Sequence, residues 1–146
     1  MMKLINIMVA VVQKIDEELN IQLEDKHFAD GQEEAIHVFL HEACHAAVLN
    51  CAPWIHDLPE QEHTAVDEIM ARMLEDEIAQ ELGMKRHSAA EHVRELSCYR
   101  LRINLQQYNH LRKKWLQIYW PNRDVAGMVQ YVKKYLREEG FSGNKS

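Results

Sequence analysis

Apolar residues recur at helical spacing along most of the chain. Leu4, Ile5, Met8, Val11, Val12, Ile15 and Leu19 mark one face of a first helix over about 3–20. IQLED then alternates Ile21 and Leu23, the pattern of one short strand, before Asp30-Gly31 interrupts the chain. From Ala35 to Leu49 almost every position is apolar apart from His37, His41, Glu42 and His45, which predicts a second helix over 32–50, buried on all sides. A third helix starts either at Pro59, since proline suits a first helical position, or at a Thr64-x-x-Asp67 capping box, and runs to Leu82 before Gly83. A fourth opens at the Ser88-x-x-Glu91 capping box and extends to Ile118. A fifth follows WPNRD, with Asn122 as its cap, and reaches Glu139. Five glycines and three prolines in 146 residues leave little turn chemistry for a β architecture. The expected fold is mainly α: about five helices packed around the buried second helix, with at most one short strand or small hairpin, in a single domain over 1–146.

Charge and cysteine content refine this picture. The net charge of −6 hides an asymmetry, because ten Lys and Arg lie from Arg100 onward against Asp124, Glu138 and Glu139. A basic helical pair packed on an acidic body accounts for that distribution, and nothing resembles a nucleic-acid-binding motif, so nucleic acid is not an expected partner. The lysine and apolar run of MMKLINIMVAVVQ lack a small-residue cleavage site and continue as an amphipathic helix rather than a signal peptide. No segment is long enough to span a bilayer, so no membrane association is expected. Cys44, Cys51 and Cys98 are odd in number and sit in apolar or helical settings, which points to reduced thiols and a cytoplasmic location.

The chemistry is concentrated in FLHEACHAAVLNC. His41 and His45, four residues apart, leave one face of a helix about a turn apart and can share one metal ion. Glu42 lies beside them without being a ligand. In this HExxH arrangement the metal lowers the pKa of a coordinated water towards roughly 7, and the glutamate is the general base for attack on a carbonyl. Burying His41, Glu42 and His45 in an apolar helix without partners would cost several kcal/mol. A shared metal ion removes much of that cost.

The run Val38-Phe39-Leu40-His41-Glu42-Ala43-Cys44-His45-Ala46 resembles the active-site helix of zincin metallopeptidases. The resemblance implies a zincin-like helical domain, a zinc cofactor, and hydrolysis of a peptide or protein substrate with Glu42 as the catalytic base. It covers little more than the second and third helices. Within the zincins the pattern is nearest to the gluzincin branch and its ImmA/IrrE-type small peptidases, whose third ligand is a glutamate preceding a hydrophobic helix. Val66-Asp67-Glu68-Ile69-Met70-Ala71-Arg72-Met73-Leu74 is similar to that helix, and the alignment sets the third ligand on His63, with Glu62 as the alternate.

A helical projection from Pro59 agrees in part. It turns Val66, Ile69, Met70, Met73 and Leu74 to the buried face, sets Glu62 and His63 at its edges, and points Glu68 and Glu75 away. Glu68, Asp67 and His56 remain further candidates for the third position. Asp67, one turn beyond His63, is expected either to orient a ligand histidine from behind or to close the Thr64 capping box. His92, Tyr99, Tyr108 and His110 are the donors available to an oxyanion.

Two other readings fit the same letters. Glu34-x-x-His37, Glu42-x-x-His45 and Glu60-x-x-His63 match the unit with which ferritin-like bundles hold two irons, and His41-x-x-x-His45 is similar to hemerythrin-like bundles, with iron in place of zinc. Two of these units share one helix, which a four-helix iron site does not favour. The third reading is a non-catalytic interaction protein that keeps the helix pair around a structural metal.

Overall fold

A computed structural model of the chain describes residues 32–139. The helix expected over 3–20, the strand at 21–25, the side chain of His37 and the final residues lie outside that description. Among the described residues there are five α-helices and no strand: α1 (Gln32–Cys51), α2 (Glu60–Glu81), α3 (Ala89–Ser97), α4 (Leu105–Lys114) and α5 (Val125–Glu138). A 3-10 turn over Pro53–Asp57 joins α1 to α2. A π turn over Trp115–Tyr119 and a 3-10 turn over Trp120–Asn122 lead from α4 to α5. The mainly helical architecture is as the spacing of apolar residues predicts. None of these helices is long and apolar enough to cross a membrane.

Helices α1 and α2 pack along each other, and α5 lies against both. Their shared core holds Leu40, Cys44 and Val48 of α1, Ile69, Met73 and Leu74 of α2, and Met128, Val129 and Val132 of α5. Trp115 and Tyr108 fill the side nearest α4 and are fully buried. The cysteines are free.

Local signals set most helix ends. Pro59 stands immediately before α2. Ser88 accepts from the backbone N–H of Glu91, whose side chain accepts from the Ser88 backbone, so the capping box read from the sequence starts α3. The Thr64 box does not form, because Thr64 already lies inside α2 and donates its hydroxyl to the Glu60 carbonyl.

Two boundaries differ from expectation. The helix expected from Ser88 to Ile118 is broken after Ser97, where Arg100 takes a left-handed conformation at φ 62°. Leu101 and Ile103, two residues apart, turn into the core from the extended connection, and a second capping box, Asn104 with Gln107, starts α4. The cap of α5 is Asp124, which accepts from the Gly127 N–H, rather than Asn122.

The largest difference concerns which helix is central. Helix α1, expected to be buried all round, exposes Val38, Glu42, Ala46 and Asn50, a stripe of residues spaced by four. Helix α2 is buried without interruption from Glu68 to Ala79, including Glu68 and Glu75, which a simple apolar-face projection turns outward.

Candidate metal centre

The α1–α2 packing brings His41 and His45 against the middle of α2. Their Nε2 atoms stand 3.0 Å apart. Behind each ring is a carboxylate from α2: His41 Nδ1 is 2.8 Å from Glu75 Oε1, and His45 Nδ1 is 2.9 Å from Asp67 Oδ1. Each Nδ1–H is the natural donor to its carboxylate, so in the neutral rings both Nε2 atoms carry lone pairs. The two lone pairs then face one another across a short gap.

Glu68 closes that gap from α2. Its Oε1 is 3.2 Å from His45 Nε2 and its Oε2 is 3.6 Å from His41 Nε2. Oε2 is buried with no hydrogen-bond partner among the described residues. Three electron-rich groups thus converge on one point; Arg72 Nε lies 3.9 Å from Glu68 Oε2, and a cation at the centre would relieve the repulsion that remains among the lone pairs. With metal–ligand bonds near 2.1 Å, ligand atoms at tetrahedral angles stand roughly 3.4 Å apart. The observed separations of 3.0, 3.2 and 3.6 Å bracket that spacing. His41, His45 and Glu68 therefore form a group that can hold a metal ion, with one ligand atom from each lying within 4.8 Å of the others.

In the ion-free chain, protons serve as the cation. The Glu68 carboxylate, followed by Glu75, raises His41 to about 9. Burial works to lower His45, but its contacts with Asp67 and Glu68 outweigh that and raise it to about 10. Burial likewise works to raise Glu68, and the two histidines overcome it, holding the carboxyl at about 2. The potential at this point favours positive charge, and a divalent ion would compete with protons for the same nitrogen lone pairs.

The third position is therefore occupied differently from the sequence expectation. His63 is not part of the converging group; its ring packs edge-on against His56, with centroids 5.3 Å apart. Glu62 forms an ion pair with Arg137 on α5, 2.6 Å from Oε1 to Nε. Glu68 stands where His63 or Glu62 was expected. The physical reason is that α2 meets the histidine pair of α1 at Asp67, Glu68 and Glu75, while nearer its start Glu62 reaches α5 and His63 packs on the 3-10 turn. Asp67 is behind His45, the orienting position considered for it.

Glu42 is exposed on α1, one residue after His41 and three before His45, and is not buried with them. Of the donors considered for an oxyanion, His92 pairs with Asp76, His110 shares a hydrogen bond with Tyr131, Tyr108 is fully buried, and Tyr99 is exposed.

Glu75, which the sequence did not single out, and Glu68, one of several further candidates there, had a signal available. In a helix carrying as many carboxylates as α2, those seven apart stay near one face, and Glu68 and Glu75 are such a pair. No protein-family model matches this chain, and neither a curated protein nor a solved structure gives a match.

Proposed function

We propose that the chain is a zinc-dependent hydrolase acting on a peptide or related amide carbonyl, with His41, His45 and Glu68 as the metal ligands. The observation that carries this reading is the pair of Nδ1–carboxylate contacts, which turn both Nε2 atoms toward the point where the Glu68 carboxylate also lies. Metal-ligating histidines characteristically donate their other ring N–H to such a carboxylate. Two imidazoles and one glutamate form a donor set suited to catalytic zinc, with a position left for water or substrate. A bound zinc ion would acidify a coordinated water and polarise the substrate carbonyl.

The chain's own residues divide the remaining work. Glu75 and Asp67 hold the two rings in place and keep the proton on Nδ1. Glu42, exposed beside His41, accepts the proton of the attacking water and returns it to the leaving group. The resemblance of the HExxH helix to zincins supports the same assignment of Glu42.

The iron-pair reading has less support. Asp67 and Glu75 are engaged behind the rings rather than beside the Nε2 atoms, so the converging group presents one carboxylate, enough for one ion. A non-catalytic chain with a structural metal would keep the ion and lack turnover.

The test is Glu42→Gln, assayed on a mixed peptide substrate alongside metal content. Hydrolysis should fall by about 10²- to 10⁴-fold, the usual contribution of a positioned general base, while zinc stays bound. Retained activity would overturn the mechanism, and a wild-type chain that binds one zinc without hydrolysing anything would favour the structural role.

A further inference from the structure

A second group of metal-ligand type lies further along α2, with no part in the proposed hydrolysis. Asp76, His87 and His92 each offer a ligand atom, and these atoms lie within 4.8 Å of one another. We propose that this group is a second binding site for a zinc-class divalent cation, one that ties α2 to the connection before α3.

Three different elements supply the ligands. Asp76 is on α2, His87 precedes the cap of α3, and His92 is in the first turns of α3. The Ser88–Glu91 capping box fixes the chain between the two histidines, so their approach to Asp76 is built into the start of the helix. His92 Nε2 is 2.8 Å from Asp76 Oδ2, and His87 Nδ1 is 3.9 Å from Asp76 Oδ1. Those distances fall on either side of the roughly 3.4 Å expected between ligands of one tetrahedral ion. The two rings stand nearly perpendicular, with centroids 5.4 Å apart.

Burial makes the group more than a surface cluster. Asp76 is 2% exposed and His92 1%, and His92 Nδ1 has no hydrogen-bond partner among the described residues. His92 Nε2, the ring nitrogen turned toward Asp76, is the one placed to ligate. The surrounding charge is mixed. Arg112 Nη2 is 3.7 Å from Asp76 Oδ2, while Glu75 Oε2 is 3.7 Å from His87 Nδ1, adding a second carboxylate to that of Asp76. Two imidazoles with one carboxylate suit zinc and its first-row neighbours rather than calcium or magnesium, which prefer all-oxygen sites. Half-buried His87 gives an ion a route from solvent.

Glu75 also joins the two centres, since its other oxygen lies 2.8 Å from His41 Nδ1. The inference does not depend on hydrolysis, and its test separates the two sites. Full-length chain stripped with chelator is titrated with Co²⁺, with binding read calorimetrically and by visible absorption. The wild type should take up two ions. The His41→Ala/His45→Ala variant should keep one, and adding His87→Ala to it should weaken that remaining ion at least about tenfold. In the otherwise unsubstituted chain, His87→Ala or Asp76→Asn should cost one ion of two, which guards against a double variant that fails to fold.

The proposal is overturned if the wild type binds a single ion that His87→Ala and Asp76→Asn leave in place, or if it binds none. A single ion lost on His87→Ala but kept in the His41→Ala/His45→Ala variant would uphold this site and overturn the first one.

Discussion

Helices α1 and α2 solve opposite problems with opposite compositions. Helix α1 is mostly apolar yet turns Val38, Glu42, Ala46 and Asn50 to the surface, with Val38 at 62% exposure. Helix α2 buries Glu68, Arg72, Glu75, Asp76 and Glu77 in its central turns. The difference lies in partners. Each charge of α2 meets a complementary group from another element: His41 and His45 on α1, Arg86 and His87 in the connection, Glu95 and His92 on α3, and Arg112 on α4. A buried charge is tolerated when it is paired and hydrogen-bonded, and each such pair constrains where the neighbouring element can sit. The charged helix is thus the hub of the fold, and the apolar one is its flank.

That contrast can be broken most forcefully in the apolar contacts of α2. Leu74→Ala should destabilise the chain by about 2–5 kcal/mol, read from urea denaturation, because Leu74 is fully buried in the helix that α1, α3 and α5 all pack against. By comparison, Val38→Ala on the exposed stripe of α1 should change stability by less than about 0.5 kcal/mol. If the two substitutions cost the same, α2 is not the hub.

Next in size come the carboxylates behind the histidines. Asp67→Asn and Glu75→Gln should each lower metal affinity about 10- to 100-fold, measured by competition with a chelator of known affinity. His63→Ala and Glu62→Ala should leave affinity unchanged, since neither residue belongs to the converging group. A drop with His63→Ala, and none with Asp67→Asn, would move the ligands back to the start of α2.

The effect of pH is smaller and has a definite sign. His41 and His45 are raised to about 9 and about 10 without metal, so at pH 7 an incoming ion must displace at least one proton. Metal affinity should therefore rise with pH from 7 towards 9, by about tenfold per pH unit for each proton displaced, as calorimetry in buffers of different ionisation enthalpy would register. The ion-free chain should behave inversely. The stability its protonated histidines contribute is complete below their ordinary 6.5 and lost as pH rises through about 9 to 10.

Much of the local structure was legible in the letters. The helical class, the Ser88–Glu91 cap of α3 and the facing of His41 with His45 follow from spacing alone, because each depends on residues within about one turn of one another, whereas Pro59 was one of two starts open to α2. The break after Ser97 was missed because Leu101 and Ile103 also fit a helical period, and only the core they enter distinguishes the two arrangements. The same limit applied to the metal centre. A projection that ranks helix faces by apolar content turns Glu68 and Glu75 outward, since it scores a carboxylate by its affinity for water and not by its partner.

The sequence by itself determined that this chain folds into helices and that two histidines share one helix face. Which carboxylate completes their group was decided by tertiary structure alone. Nothing in the neighbouring turns of α2 tells Glu68 that it will lie 3.2 Å from His45. That distance follows from the way α1 settles along α2, and only across that contact do the burial of a charge and its compensation occur together.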